Sequence, residues 1–160
     1  MIAIEKVKRY LYDTQEQAEK YSGCEKVSVG AMIIPHGTKT FVFGSNKCIP
    51  DSCKTNGCRR VELYGEDSKS HRLPSDCRAV HSEIDAICNC AKFGIPTYRA
   101  TMIVTRYPCE ACARAIVNSG IREVYYGREQ KISEEAELIF KSGDVRIHHV
   151  SDWIYEDTTR

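Results

Sequence analysis

Two short motifs, separated by about 25 residues, place the strongest constraint on how this chain folds. The first is His81-Ser82-Glu83 and the second is Pro108-Cys109-Glu110-Ala111-Cys112. Imidazole and thiolate are zinc ligands, and three of them leave the fourth tetrahedral position open for water. Cys109 and Cys112 are three residues apart at the start of a predicted helix, so their thiols lie on one helix face. The fold must therefore bring the starts of two helices together.

Neither motif is specific by itself. Cys-x-x-Cys is also typical of redox pairs and structural zinc sites, and a fourth ligand from Cys88 or Cys90 would close the site. Both motifs, however, occur at predicted helix starts, each after a loop, and this context favours a catalytic zinc. There Glu83 would carry protons between the activated water and a substrate. His-x-Glu followed by Pro-Cys-x-x-Cys is the signature of zinc-dependent nucleobase deaminases.

Composition narrows the classes of function. The 160 residues hold 23 basic and 22 acidic side chains, which argues against a broad grip on nucleic acid and leaves a small anionic substrate possible. No long apolar run predicts a signal peptide or membrane span, so we expect a cytoplasmic protein. Nine cysteines, an odd number, fit metal ligands and buried thiols in a reducing compartment better than a disulfide framework.

The pattern along the chain predicts a single α/β domain over residues 1–160. Its order of elements indicates three layers, with a mixed five-stranded sheet sandwiched by helices and parallel pairing from residue 100 onward. Residues 44–80 are expected to be an irregular, cysteine-rich insertion, and 151–160 a polar tail. Helices are predicted at 4–21, 82–93, 109–119 and 133–141, and strands at 27–34, 40–43, 100–104, 123–126 and 145–148.

Four stretches together resemble the deoxycytidylate (dCMP) deaminase family: Val29-Gly30-Ala31, Gly44-Ser45-Asn46, and residues 81–87 and 108–121. The resemblance runs from about residue 20 to 126 and implies a cytidine-deaminase-like domain. It also implies hydrolysis of dCMP to dUMP and ammonia, within pyrimidine deoxynucleotide metabolism. One catalytic zinc, a homo-oligomer between dimer and hexamer, and control by dCTP and dTTP are implied as well.

Carried over by position, the family's roles fall on specific residues. The zinc ligands would be His81, Cys109 and Cys112, and Glu83 would be the proton shuttle. Asn46 would contact the sugar hydroxyl, and the backbone at Gly30 and Ala31 would face the pyrimidine.

The chain departs from the family pattern at two places. The family's Gly-Tyr-Asn-Gly is Gly44-Ser45-Asn46-Lys47 here, and its His-Ala-Glu-x-Asn-Ala has Ser82 and Asp85. Ser82 keeps a small residue beside the metal, while Lys47 adds a cation suited to a phosphate. Asp85 adds a negative charge, which either alters substrate choice, caps a helix or pairs with an arginine.

Arg106 and Tyr107 precede the second motif and are candidates for the rim of the pocket. Arg106 is a candidate phosphate ligand or an ordinary exposed arginine, and Tyr107 a base-stacking or a packing residue. Other hypotheses are a deaminase of another base, nucleoside or nucleotide, and a zinc-stabilised binding protein without activity. Glu83 argues against the binding protein, since a structural zinc site has no use for an unliganded carboxylate.

A second set of cysteines matches positions that carry cysteine in bacterial members of the family. Four thiolates would bind a closed structural zinc and fasten the insertion to the first strand. The alternative is a set of reduced, partly buried thiols. The predicted ligands are Cys24, Cys53, Cys58 and Cys77, with His71 and Cys48 as alternatives.

Overall fold

The computed structural model describes residues 2–24, 26–48, 53, 57–65, 77–129 and 133–153. The predicted ligand His71 and the tail from residue 154 lie outside this part of the chain. The described helices are α1 (Ile4–Tyr21), α2 (Arg59–Tyr64), α3 (Ser82–Lys92), α4 (Glu110–Asn118) and α5 (Glu134–Ser142). The described strands are β1 (Gly30–Ile34), β2 (Val42–Ser45), β3 (Lys47–Cys48), β4 (Ala79–Val80), β5 (Thr101–Arg106), β6 (Glu123–Arg128) and β7 (Arg146–His149).

The main sheet has five strands in the order β2-β1-β5-β6-β7. β1 pairs antiparallel with both β2 and β5, whereas β5, β6 and β7 are parallel to one another. The predicted hairpin, the parallel half and the mixed five-stranded sheet are thus confirmed. A separate two-stranded sheet joins β3 to β4.

Alternation along the strands gives the sheet two apolar faces, and each face has its own core. Met32, Ile103 and Tyr125 pack with Val7 and Leu11 of α1 on one face. Their strand neighbours face the opposite side, since successive side chains in a strand point to opposite faces. There they pack against α3, α4 and α5, so the sheet lies between two helical layers. This second core includes Ala31, Val104, Val124, Ala86, Ile116 and Phe140.

The first two strands differ from their predicted bounds for identifiable reasons. β1 begins at Gly30 and not at Val27, because the Asn46 side chain bonds the backbone of Val27 and Val29. β2 extends to Ser45 through Gly44, where a Cβ atom would overlap the backbone of Ser82 and Ala86 in α3. Gly44 therefore permits close helix–strand packing instead of ending the strand.

The insertion has more order than was predicted. Its described part contains α2 and the β3–β4 pair, where an irregular loop was expected. Across the described ranges, none of the helices is both long and apolar enough to span a bilayer.

Candidate metal centre

The predicted zinc ligands lie at the starts of two neighbouring helices. His81 is the N-cap residue of α3 and Cys109 is the N-cap residue of α4, with Cys112 one turn further on. His81 Nδ1 lies 3.4 Å from the sulfur of Cys109 and 3.4 Å from that of Cys112. One ligand atom from each residue lies within 4.8 Å of the other two. We call these three residues the metal corner.

Electrostatics at the corner favours a thiolate. Hydrogen bonds from Cys112 and His81 lower the pKa of the Cys109 thiol to about 4, and the α4 N-terminus adds to this effect. The hydrogen bond with Cys109 in turn raises the pKa of His81. Cys109 is exposed and Cys112 is buried, so the corner is open to solvent on the Cys109 side. One imidazole and two sulfurs at this spacing fit a zinc ion with one position left for water.

Glu83 provides a carboxylate beside the corner. It is only 4% exposed, and this burial raises its pKa. Ser82 Oγ donates a hydrogen bond to Glu83 Oε2 at 3.0 Å. The hydrogen bond with Cys109, burial and the charge of Glu83 together raise the pKa of Cys112. Glu83 thus lies beside the metal corner, but its carboxylate does not belong to the set of ligand atoms that lie within 4.8 Å of one another.

Ser82 has a contact that sequence reasoning missed. It was interpreted only as a small residue beside the metal, yet its hydroxyl fixes the orientation of the neighbouring carboxylate. The hydroxyl at the middle position of the first motif was the available signal.

Asn46 connects several chain segments. Its Oδ1 accepts hydrogen bonds from Ser22 Oγ at 2.7 Å and Val29 N at 2.9 Å, and its Nδ2 donates to Val27 O at 2.8 Å. The residue is 7% exposed. Its amide therefore holds Ser22, Val27 and Val29 beside β2, which leaves one amide hydrogen for any further partner.

Lys47 and Asp85 contact each other. Lys47 Nζ lies 3.1 Å from Asp85 Oδ2, and the same oxygen accepts the Ser45 backbone N–H at 2.9 Å. Both residues line a cavity of about 230 Å³ beside β2, and none of the metal corner lines it. Of the roles considered for Asp85, the structure shows ion pairing, but with a lysine and not an arginine.

The remaining substrate candidates lie in different surroundings. Gly30 packs against Thr14 of α1, and its N–H donates to Thr105 Oγ1 at 3.1 Å. Ala31 is buried in the core that faces α3. Arg106 ends β5, opposite Arg128 in β6. These positions do not by themselves define a substrate surface.

Tyr107 belongs to the core. It is 6% exposed, and its ring contacts Tyr126 edge-on, with the centroids 5.0 Å apart. Burial raises its pKa to about 12, and its hydroxyl has no hydrogen-bond partner among the residues that the structure describes. The structure therefore places Tyr107 as a packing residue.

Five of the seven cysteines outside the corner lie near one another but do not form a compact ligand group. Among described residues, the metal corner alone brings three such ligands within 4.8 Å of each other. Cys53 is buried and hydrogen-bonds with Cys48, and burial raises its pKa to about 12. Cys24 and Cys58 exert electrostatic effects on Cys53, and Cys77 exerts one on Cys24. We call Cys24, Cys48, Cys53, Cys58 and Cys77 the loop thiols.

Comparison with known proteins assigns the chain to a family. The model of the "Cytidine and deoxycytidylate deaminase zinc-binding region" matches residues 4–128, which include the whole metal corner. The chain belongs to the cytidine and deoxycytidylate deaminase family. Its metal corner therefore lies in the zinc-binding region that gives this family its description.

Individual relatives support the same assignment. ComE operon protein 2 of Bacillus subtilis is 33% identical over 131 residues, which are 81% of this chain and 63% of that protein. The chain thus spans less than two thirds of that relative's length. The deoxycytidylate deaminase of Mycobacterium phage D29 is 32% identical over 75% of this chain and 93% of its own length.

A solved structure has the same deaminase fold. The dCMP deaminase of cyanophage S-TIM5, crystallised with dCMP and dUMP, superposes with a TM-score of 0.67. The match covers 93% of this chain and 99% of the phage chain at 18% identity. At this identity the likeness concerns the fold.

Proposed function

We propose that this protein hydrolyses the amine of a free cytosine nucleotide, with dCMP as substrate and dUMP and ammonia as products. The observation that carries the proposal is Glu83, a buried carboxylate held beside three zinc ligands that leave one position open. A structural zinc would have no use for it. The likeness to dCMP deaminases of phages supports the choice of substrate.

In the proposed reaction, each residue has a defined task. His81, Cys109 and Cys112 would hold zinc, which would supply a water activated for attack on the carbon that bears the amine. Glu83 would take both protons of that water in turn: the first would go to the ring nitrogen, and the second, removed as the carbonyl forms and the carbon–nitrogen bond breaks, would go to the departing ammonia. Its raised pKa suits a group that must both accept and donate near neutral pH.

We propose fewer substrate-binding residues than the sequence predicted. Asn46 keeps one amide hydrogen for a sugar hydroxyl, and the backbone at Gly30 and Ala31 is proposed to face the base. Arg106, at the end of the strand that leads into the corner, is the proposed phosphate ligand. Lys47 and Tyr107 are assigned to the Asp85 pair and the core, respectively.

A panel of substrates tests this proposal. Ammonia release is measured with dCMP, CMP, dCTP, deoxycytidine, cytidine and guanine, using zinc-loaded protein. We expect the highest kcat/KM with dCMP. Preference for another cytosine compound would show that dCMP is the wrong substrate. Turnover of guanine alone would show that the protein is a purine deaminase. No release from any of them would reject the proposed function in favour of a zinc-stabilised binding protein.

We further propose a second, structural zinc among the loop thiols. Backbone contacts support it: Gly23, beside Cys24, accepts from Cys48 Sγ at 3.3 Å, and Cys48 pairs with Ala79, two residues after Cys77. Arg78 donates to Gly57 O at 3.4 Å, which brings Cys58 near Cys77. Two zinc ions per chain in protein purified without chelator are expected, and one would reject the second site.

The location and assembly of the protein are also proposals. All nine cysteines are free thiols, which suits the reducing cytoplasm. We propose a homo-oligomer, between dimer and hexamer, with dCTP and dTTP as effectors. Light scattering of the purified protein would give the mass, and dCMP saturation curves with and without each triphosphate would test control. A monomer, or curves that both triphosphates leave unchanged, would reject the respective proposal.

A further inference from the structure

One short segment, residues 45–48, holds both ends of the turn that carries His81 and Glu83. Before the turn, Lys47 of β3 pairs with Val80 of β4, the residue that precedes His81. After the turn, Asp85 Oδ2 accepts the Ser45 backbone N–H at 2.9 Å. The two contacts on segment 45–48 are two residues apart, and the stretch of chain between Val80 and Asp85 contains a metal ligand and the proposed proton shuttle.

The Lys47 side chain adds a third contact between segment 45–48 and the chain around His81. Its Nζ lies 3.1 Å from Asp85 Oδ2, so Lys47 contacts Val80 through its backbone and Asp85 through its charge. The Asp85 side chain is 14% exposed and that of Lys47 is 43% exposed. The ion pair is partly screened by solvent, whereas the hydrogen bond from Ser45 is better protected. The geometry therefore depends mainly on the carboxylate as a hydrogen-bond acceptor.

The Ser45 N–H needs a partner because β2 is an edge strand of the described sheet. β2 pairs with β1 on one side, and α3 supplies side chains to its outward-facing backbone groups. Asp85 bonds Ser45 N–H, and Asn89, one turn later, donates to Phe43 O at 2.9 Å. Asn89 thus also connects α3 to β2, but it lies outside the stretch between Val80 and Asp85 that contains His81.

We propose that Asp85 is a positioning residue for the metal corner. Through Ser45 and Lys47 it fixes the start of α3, and so sets where His81 and Glu83 lie relative to Cys109 and Cys112. This inference rests on the proposed function for its kinetic consequences, but not for its effect on the metal. It replaces the expectation that Asp85 acts on substrate choice, since both carboxylate oxygens already face Ser45, Lys47 and Asn89.

Three variants separate positioning from general stability. Asp85→Ala removes the acceptor, Asp85→Asn keeps an acceptor for Ser45 N–H without the charge, and Asn89→Ala loosens the same strand outside the enclosed turn. Each is compared with wild type for kcat and KM on dCMP, for thermal unfolding, and for the rate at which zinc passes to a chromophoric chelator.

We expect Asp85→Ala to lower kcat by about tenfold and to release zinc about tenfold faster, with KM within about twofold, as for other residues that orient metal ligands. Asp85→Asn should restore both to within about threefold of wild type. Asn89→Ala should lower the melting temperature while leaving kcat and zinc release unchanged. Should Asp85→Ala not fold, Asp85→Glu replaces it, because the longer side chain keeps the charge but displaces the acceptor.

Several results would overturn the inference. Equal losses in the Asp85→Asn and Asp85→Ala variants would show that charge, not positioning, matters, and so would wild-type behaviour of Asp85→Glu. A rise in KM alone would return Asp85 to substrate binding, and equal zinc release from Asp85→Ala and Asn89→Ala would reduce it to a stability residue. If the wild type turns over no nucleotide, the proposed function fails, while the zinc-release comparison still tests Asp85.

Discussion

The metal corner and the loop thiols use the same side chain in opposite surroundings. In the corner, hydrogen bonds from Cys112 and His81 lower the pKa of Cys109 to about 4. Among the loop thiols, burial raises the pKa of Cys53 to about 12. The corner has a carboxylate beside it, whereas Cys48 Sγ donates to the Gly23 carbonyl and Cys53 lies beside Cys48.

This difference agrees with the two tasks proposed for the cysteines, chemistry at the metal corner and structural support at the loop thiols. An open position and a movable proton are needed to activate water, and the corner offers both. A closed set of thiols can only hold an ion and, with it, the chain around it. Seven of the nine cysteines fall into these two groups, and Cys88 and Cys90 of α3 belong to neither.

Removing one thiol from each group gives the sharpest contrast. Cys112→Ala should abolish zinc binding at the corner and lower turnover of dCMP by more than about 1,000-fold, because the activated water is lost. Cys58→Ala should keep kcat within about threefold and lower the free energy of unfolding by about 2 kcal/mol. Turnover, zinc content and thermal unfolding of the two variants check this. Equal loss of turnover in both would break the comparison.

Glu83→Gln tests the feature that the loop thiols lack. An amide cannot shuttle protons, so turnover should fall by about 100- to 10,000-fold while zinc content stays at the wild-type level. Steady-state kinetics and metal analysis on the same preparation give both values. Glu83→Asp serves as the control, because it retains a carboxyl group and should keep more activity than the amide. Loss of zinc from Glu83→Gln would mean that Glu83 has been assigned the wrong task.

Two cations are compared as phosphate ligands, Arg106 beside the corner and Lys47 in the insertion. Arg106→Ala, beside the corner, should raise KM for dCMP by about tenfold, the value of one charge-assisted hydrogen bond, and leave KM for deoxycytidine unchanged. Lys47→Met, in the insertion, should change KM for dCMP by less than about threefold, since its ammonium already binds Asp85. The reverse ranking would place the phosphate at the insertion.

Tyr107→Phe should have the smallest effect on activity, because Tyr107 packs in the core next to the metal corner. Within the described part of the chain the buried Tyr107 hydroxyl has no hydrogen-bond partner, so its removal should leave kcat unchanged and raise the free energy of unfolding by up to about 1 kcal/mol. Chemical denaturation and kinetics check the two expectations. A fall in kcat/KM would indicate that Tyr107 contacts the substrate after all.

Most of the regular structure follows from sequence patterns. The periodicity over 4–21 gives the bounds of α1, and the predicted helices at 82–93 and 109–119 lie within one residue of α3 and α4. These helices have long apolar stripes, and Gly94 and Gly120 follow their ends at positive φ. The convergence of His81, Cys109 and Cys112 also followed, because both motifs precede helices that pack on one face of the sheet.

What could not be predicted depends on contacts between distant residues. β3 and β4 have two residues each and pair across about 30 residues of chain, which leaves no periodic signal to detect. The contacts of Asn46 with Val27 and Val29, and of Asp85 with Ser45, join a side chain to a remote backbone. The sequence predicted Asn46 as a sugar ligand and identified Asp85 as a departure from the family pattern, but only the structure shows these contacts.

Zinc-dependent release of ammonia from dCMP tests the central claim most directly. Protein stripped of metal by a chelator is assayed before and after zinc is restored, and zinc content is measured in parallel. We expect no turnover without metal, and recovery of dUMP and ammonia in equal amounts as the corner is filled. Turnover that persists without zinc, or zinc-loaded protein that releases no ammonia from dCMP, would contradict the account.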